Sequence, residues 1–159
     1  MIVCACDPDT TTPAFAVFND LRLSDWRLLK GKTSLLLQDV KALVEIWRPD
    51  LLVIENQYLP PTRNAVKRFR SVSQLVSARA MITAVFILAG TDFQLVEPFS
   101  WQRSLGGAGL GRDQLKELSV LKASDIAGKK IQDHNVADAI NLGYWWVSTQ
   151  RSTLSSAGK

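Results

Sequence analysis

Three carboxylates stand where this sequence could do chemistry. Asp7 ends the run Ile2-Val3-Cys4-Ala5-Cys6, Glu55 ends Leu51-Leu52-Val53-Ile54, and Asp138 lies among small and apolar residues in Val136-Ala137-Asp138-Ala139. A continuous apolar run bounded by turn residues reads as a fully buried strand. Asp7 and Glu55 therefore each fall at the carboxyl end of a strand, outside which open α/β sheets bind their ligands. If the two strands are parallel neighbours, both carboxylates reach one rim, where they repel each other unless a cation lies between them. An Asx-type turn would account for Asp7, but no turn chemistry accounts for Glu55. Asp138 is drawn to the core rim by its neighbours. A helical aspartate without a basic partner there wants a metal or substrate; the competing role is a first-turn carboxylate favoured by the helix dipole. Oxygen-only ligands suit Mg²⁺ or Mn²⁺.

The elements that must position these groups follow from periodicity. Ala14 to Phe18 reads as a second strand. Asp25 to Lys30 reads as a third, at an edge, with Asn19-Asp20 making a hairpin connection. Ser34 to Trp47 is a helix with Leu36, Val40, Leu43 and Trp47 on one stripe, capped by Thr33 or Ser34 and stopped by Pro49. A long helix spans about 65–89. Its second half, Ala80 to Ala89, is apolar nearly all round, so it should be buried on every side: by the sheet and by a second subunit. Phe93 to Glu97 is a strand ended by Pro98, and Ser100 to Leu105 is a short helix capped by Ser100. Gly106 to Gly111 follows no strand and makes a poor dinucleotide fingerprint. A helix runs from Arg112 to about Leu121, and the last begins at Asp133, which can cap it, with Asn135 and Asp138 on one face. The elements make one domain over 1–149, followed by a Ser/Thr-rich tail over 150–159 that reads as disordered.

The chain has 159 residues and a formal charge of +4, enough for one real core and basic enough to favour a polyanionic partner. Cys4 and Cys6 share one strand face and have no second pair, so they read as small buried residues in a reducing, intracellular setting: cytoplasm, nucleoid or organelle matrix. His134 is the only histidine, which argues against zinc. The chain opens on a strand, which reads as the absence of a signal peptide. Ala78 to Gly90 reads as too short to span a membrane. Beyond Glu55, a loop stiffened by Pro60-Pro61 carries Tyr58 and leads into Arg63, Lys67, Arg68 and Arg70. An aromatic flanked by arginines suits a nucleic-acid backbone and an unstacked base; the alternative is a solvated helix face over a packed tyrosine.

Asp7-Pro8, Val53-Ile54-Glu55-Asn56-Gln57 and Val136-Ala137-Asp138-Ala139 together resemble, in order and spacing, the RuvC-type Holliday junction resolvases of the ribonuclease H-like superfamily. The resemblance covers nearly the whole chain. It implies an α/β, ribonuclease H-like fold with a mixed five-stranded sheet flanked by helices. It also implies a homodimer, two divalent metal ions, and resolution of four-way DNA junctions by paired nicks. Asp7, Glu55 and Asp138 would be the metal-binding catalytic carboxylates, and Tyr58 would meet an unpaired base near the crossover. Arg103, Arg112 and Lys116 fall in the region that supplies basic residues near the scissile phosphate. Two ions about 4 Å apart can activate a water and stabilise the leaving oxygen of an in-line displacement, leaving 5′-phosphate and 3′-hydroxyl ends.

Two positions depart from the family pattern. Asp9 stands where the family usually has glycine. Asn135 stands where it has a fourth, charged or histidine ligand, so Asn135, Asp133 and His134 are candidates for that role. The rival readings are a related nuclease acting on another branched DNA or on structured RNA, a non-catalytic DNA-binding homologue, and an actin-like phosphate-binding module. Glu55 and the short chain argue against the last.

Overall fold

The opening strand is the middle of the sheet. In the computed structural model, which describes residues 1–56, 65–107 and 109–156, β1 (Ile2–Asp7) lies between β2 (Ala14–Asn19) and β4 (Leu51–Glu55). With β3 (Arg22–Leu28) and β5 (Asp92–Val96) at the edges, the strand order is β3-β2-β1-β4-β5. β1 to β3 form an antiparallel meander, while β1, β4 and β5 run parallel. This is the expected mixed five-stranded sheet. Helices cover both faces of the sheet at β1 and β4, so these strands are apolar without alternation.

Successive side chains of a strand point to opposite faces, and the core divides accordingly. Cys4, Cys6, Phe15, Leu52 and Ile54 face α1 (Thr33–Trp47) and α2 (Ala65–Leu88), where they pack on Val40, Leu43, Ile82 and Phe86. Val3, Ala5, Ala16, Phe18 and Val53 face the other way, toward α3 (Pro98–Gln102), α4 (Arg112–Ala127) and α5 (His134–Ser156). Both cysteines are buried and free, and burial pushes both thiols up, so they are inert core residues.

α5 lies close against the sheet because the residues between them are small. A Cβ built on Gly143 would come within 2.9 Å of the Ala5 Cβ and 2.8 Å of Phe18 Cδ2. Gly143→Val should therefore push α5 off β1 and β2 and cost about 1–3 kcal/mol by overpacking. Thermal melting checks this, and an unchanged melting temperature would contradict the close approach.

Several boundaries differ from expectation for local reasons. β3 starts at Arg22 because Asp20 takes the left-handed conformation (φ 53°) and closes the hairpin early. α1 starts after Lys32, whose side chain makes no cap, and ends on left-handed Arg48 before Pro49. α3 begins at Pro98, where a proline suits the first helical position, rather than at Ser100. α4 continues to Ala127, where Gly128 (φ 64°) ends it. α5 runs from His134 to Ser156.

The second half of α2 is buried along one stripe only. Ala78, Ile82, Thr83 and Phe86 face the core, whereas Ala80, Ala84, Ile87 and Leu88 are exposed. Phe69–Leu88 is long and apolar enough by composition to cross a membrane, yet its inner stripe packs on the sheet.

Candidate active site

Register brings Asp7 and Glu55 to one rim. Cys6 is level with Ile54 in the parallel β1–β4 pair, so the next residues, Asp7 and Glu55, are neighbours at the two carboxyl ends. By alternation both lie on the side of Val3, Ala5 and Val53, the side covered by α5. Asp138 lies in the second turn of α5, on that same side. The charges of Glu55 and Asp138, together with those of Asp9 and Asp133, all reach Asp7. Burial first, and then this repulsion, raises the Asp7 carboxyl well above its ordinary range.

Asp138 is raised as well, by burial. The Ser119 hydroxyl and the charges of His134 and Lys116 oppose that rise. Ser119 Oγ donates to Asp138 Oδ1 at 2.5 Å. Asn141 Nδ2 in turn donates to Ser119 Oγ and to its carbonyl, both at 2.9 Å. On the opposite flank the buried Trp101 indole Nε1 donates to Glu55 Oε2 at 2.8 Å. Beside Glu55, Asn56 Nδ2 donates to Glu97 Oε1 at 2.6 Å, and Arg79 donates to Asn56 Oδ1. That chain ties α2 to the ends of β4 and β5.

The turn after β1 is stapled by the residue that departs from the family pattern. Asp9 Oδ1 accepts from the amides of Thr11 and Thr12 at 2.8 Å each and from both hydroxyls at 3.1 and 3.0 Å. Burial alone would raise Asp9, but these bonds draw it below its ordinary value. Asn135 Nδ2 donates to the Thr12 carbonyl at 2.9 Å, joining this turn to α5. Asp133 caps α5, accepting from the amides of Asn135 and Val136 at 2.9 and 3.1 Å.

Asp7, Glu55 and Asp138 are thus the groups that could hold a hard cation. Their donors are all oxygen, and a positive charge would relieve the repulsion on Asp7. Among the described residues, no three acidic, histidine or cysteine side chains are gathered tightly enough to enclose an ion as they stand. Glu55 and Asp138 are turned to Trp101 and Ser119. Lys116 and His134 stand near enough for their charges to reach Asp138. Arg112 is exposed one turn before Lys116, Arg70 is exposed on α2, and Arg103 lies over the Phe99 ring at 5.4 Å. Tyr58 and Arg63 lie outside the described residues, and Lys67 and Arg68 are placed only as the first turn of α2.

Sequence reasoning missed Trp101, Ser119 and Asn141. Only Asn141 carried a signal: an amide inside the buried run Ala139-Ile140-Asn141-Leu142 needs a polar partner.

In sequence, neither a known family nor a curated protein matches this chain. In structure it is similar to Thermus thermophilus RuvC solved with a Holliday junction substrate (TM-score 0.71, 17% identity, 96% of this chain and 97% of that one). It is also similar to the fowlpox virus Holliday junction resolvase (TM-score 0.58, 20% identity, 94% and 99% covered). A third similar structure is the yeast mitochondrial Holliday junction resolvase (TM-score 0.58, 12% identity, 95% and 82% covered). At these identities the likeness is one of fold, and the fold of this chain is that of the RuvC-type Holliday junction resolvases.

Proposed function

We propose that this chain is a metal-dependent endonuclease that resolves four-way DNA junctions as a homodimer, by paired nicks leaving 5′-phosphate and 3′-hydroxyl ends. The observation that carries the proposal is the convergence of Asp7, Glu55 and Asp138, from two adjacent parallel strands and the helix packed on them. It is joined by the fold shared with resolvases, two of them solved on a junction. Two Mg²⁺ ions, with Mn²⁺ as a substitute, would supply the activated water and leaving-oxygen stabilisation. Asp7, Glu55 and Asp138 would hold them. Lys116, four residues after Arg112 on α4, supplies positive charge beside Asp138 for a phosphate. Asn135 donates its amide nitrogen to Thr12, so its amide oxygen is the atom it would offer a cation, without adding charge.

Incubation with a four-way junction, a matched linear duplex and structured RNA, each with and without Mg²⁺, tests the reading. Cutting of the junction alone is expected. Equal cutting of the duplex would remove the junction selectivity, and cutting of the RNA alone would favour the structured-RNA reading.

Two symmetric cuts need two sites related by a two-fold axis. The exposed apolar stripe of α2 is the surface that a second copy would cover. Val85 packs partly on the core, so a charge there would damage the fold, whereas Ile87 is 51% and Leu88 88% exposed. Ile87→Glu should convert a dimer to a folded monomer by light scattering. A wild-type mass of one chain at micromolar concentration would defeat the dimer.

A further inference from the structure

We propose that Trp101 and the Asn141–Ser119 pair are positioning residues, each holding one carboxylate, Glu55 or Asp138, at the rim where a divalent cation would bind. The inference rests on the metal-site reading above and extends it to residues that touch neither cation nor nucleic acid.

The geometry is directional on both flanks. An indole nitrogen can only donate, and Trp101 is 1% exposed within the cluster that holds Val96 and Leu105. Its ring is therefore fixed, and its single N–H, 2.8 Å from Glu55 Oε2, sets where that oxygen sits. On the other flank Ser119 is 2% and Asn141 4% exposed. Because Asn141 donates to the Ser119 hydroxyl oxygen, the hydroxyl proton is directed at Asp138 Oδ1. Both donors that reach the carboxylates are neutral. They orient without cancelling the negative charge that a cation needs, as a lysine or arginine would. They also come from α3 and α4, elements that carry none of the three carboxylates. The packing of those helices thereby becomes part of the site. Partners of this kind typically contribute 10–100-fold to metal affinity or activity.

A purely structural role is the competitor, since a buried indole or amide needs a partner in any protein. Binding of Mn²⁺ to the free full-length protein, followed by electron paramagnetic resonance, separates the two, with thermal melting measured on the same samples. Trp101→Phe keeps the ring and removes the donor. Ser119→Ala removes the hydroxyl, and Ser119→Thr restores it. The expected result is a Kd for Mn²⁺ raised about 10–100-fold in Trp101→Phe and Ser119→Ala, with Ser119→Thr close to wild type. Ser119→Ala carries the test alone if Trp101→Phe does not fold. Wild-type Mn²⁺ affinity in both variants, with only the melting temperature lowered, would overturn the positioning role and leave the metal site standing. Wild-type protein that binds Mn²⁺ no better than Asp7→Asn would remove the metal site, and the positioning role with it.

Discussion

Asp7→Asn, Glu55→Gln and Asp138→Asn should each lower junction cleavage in Mg²⁺ by at least about 10³-fold, equivalent to ~4 kcal/mol of transition-state stabilisation. Each replacement keeps the shape of the side chain and removes the charge. What is lost is therefore the capacity to hold a hard cation, and packing is kept. Junction binding should survive all three, because it would be carried by phosphate contacts from lysines and arginines on other surfaces. The three effects should also be far from additive, since a double mutant cannot lose the same ion twice. Rapid-quench cleavage beside a gel-shift titration in Ca²⁺ measures both properties. A variant that cuts at the wild-type rate would take its carboxylate out of the site.

Asp7 and Asp138 should make the metal-free protein less stable as pH rises. Asp7 is raised by burial and by the charges of Glu55 and Asp138, so the folded state holds its proton more tightly than the unfolded chain does. The stability from that proton is full below about pH 4, the ordinary carboxyl value. It is lost as pH rises through the folded value. Asp138, raised by burial, acts in the same sense. Asp9 is drawn low by the amides of Thr11 and Thr12 in spite of its burial, so its contribution is present above about pH 4 and fades on acidification. Asp7→Asn should therefore raise the melting temperature at pH 8 in EDTA by a few degrees, since ~1 kcal/mol moves it about 2–4 °C in a chain of this size. Mg²⁺ should raise the wild-type melting temperature at pH 8 by mass action and leave the variant unmoved. A variant that melts earlier than wild type in EDTA would contradict the repulsion at Asp7.

The part of this site that is legible in sequence is the part written as uninterrupted strands. Ile2 to Asp7 and Leu51 to Glu55 announce buried strands with carboxylates at their ends; that the two strands pair in parallel, as the convergence of those carboxylates requires, is seen only in the sheet. The supports were not legible because they are made by contacts distant in sequence: Trp101 with Glu55, Ser119 with Asp138, and Asn135 with Thr12. Periodicity says which face a residue occupies, but not which atom it meets there. Asp9 shows the converse. It stands where the family usually has glycine, yet four hydrogen bonds from Thr11 and Thr12 make it the staple of that turn. The all-round apolar character of Ala80 to Ala89 predicts cover by the sheet on one side and by a second subunit on the other; the single chain covers one stripe and leaves Ile87 and Leu88 exposed.

The central claim is that Asp7, Glu55 and Asp138 form a metal-dependent site for cutting junctions. It is tested most directly by a four-way junction labelled on two opposed strands and incubated with wild-type protein and with Asp7→Asn, in Mg²⁺ and in EDTA. The account predicts nicks at symmetric positions in both labelled strands, with ends that ligase seals without processing, from wild-type protein in Mg²⁺ alone. An intact junction under that condition, or equal cutting by Asp7→Asn, would contradict it.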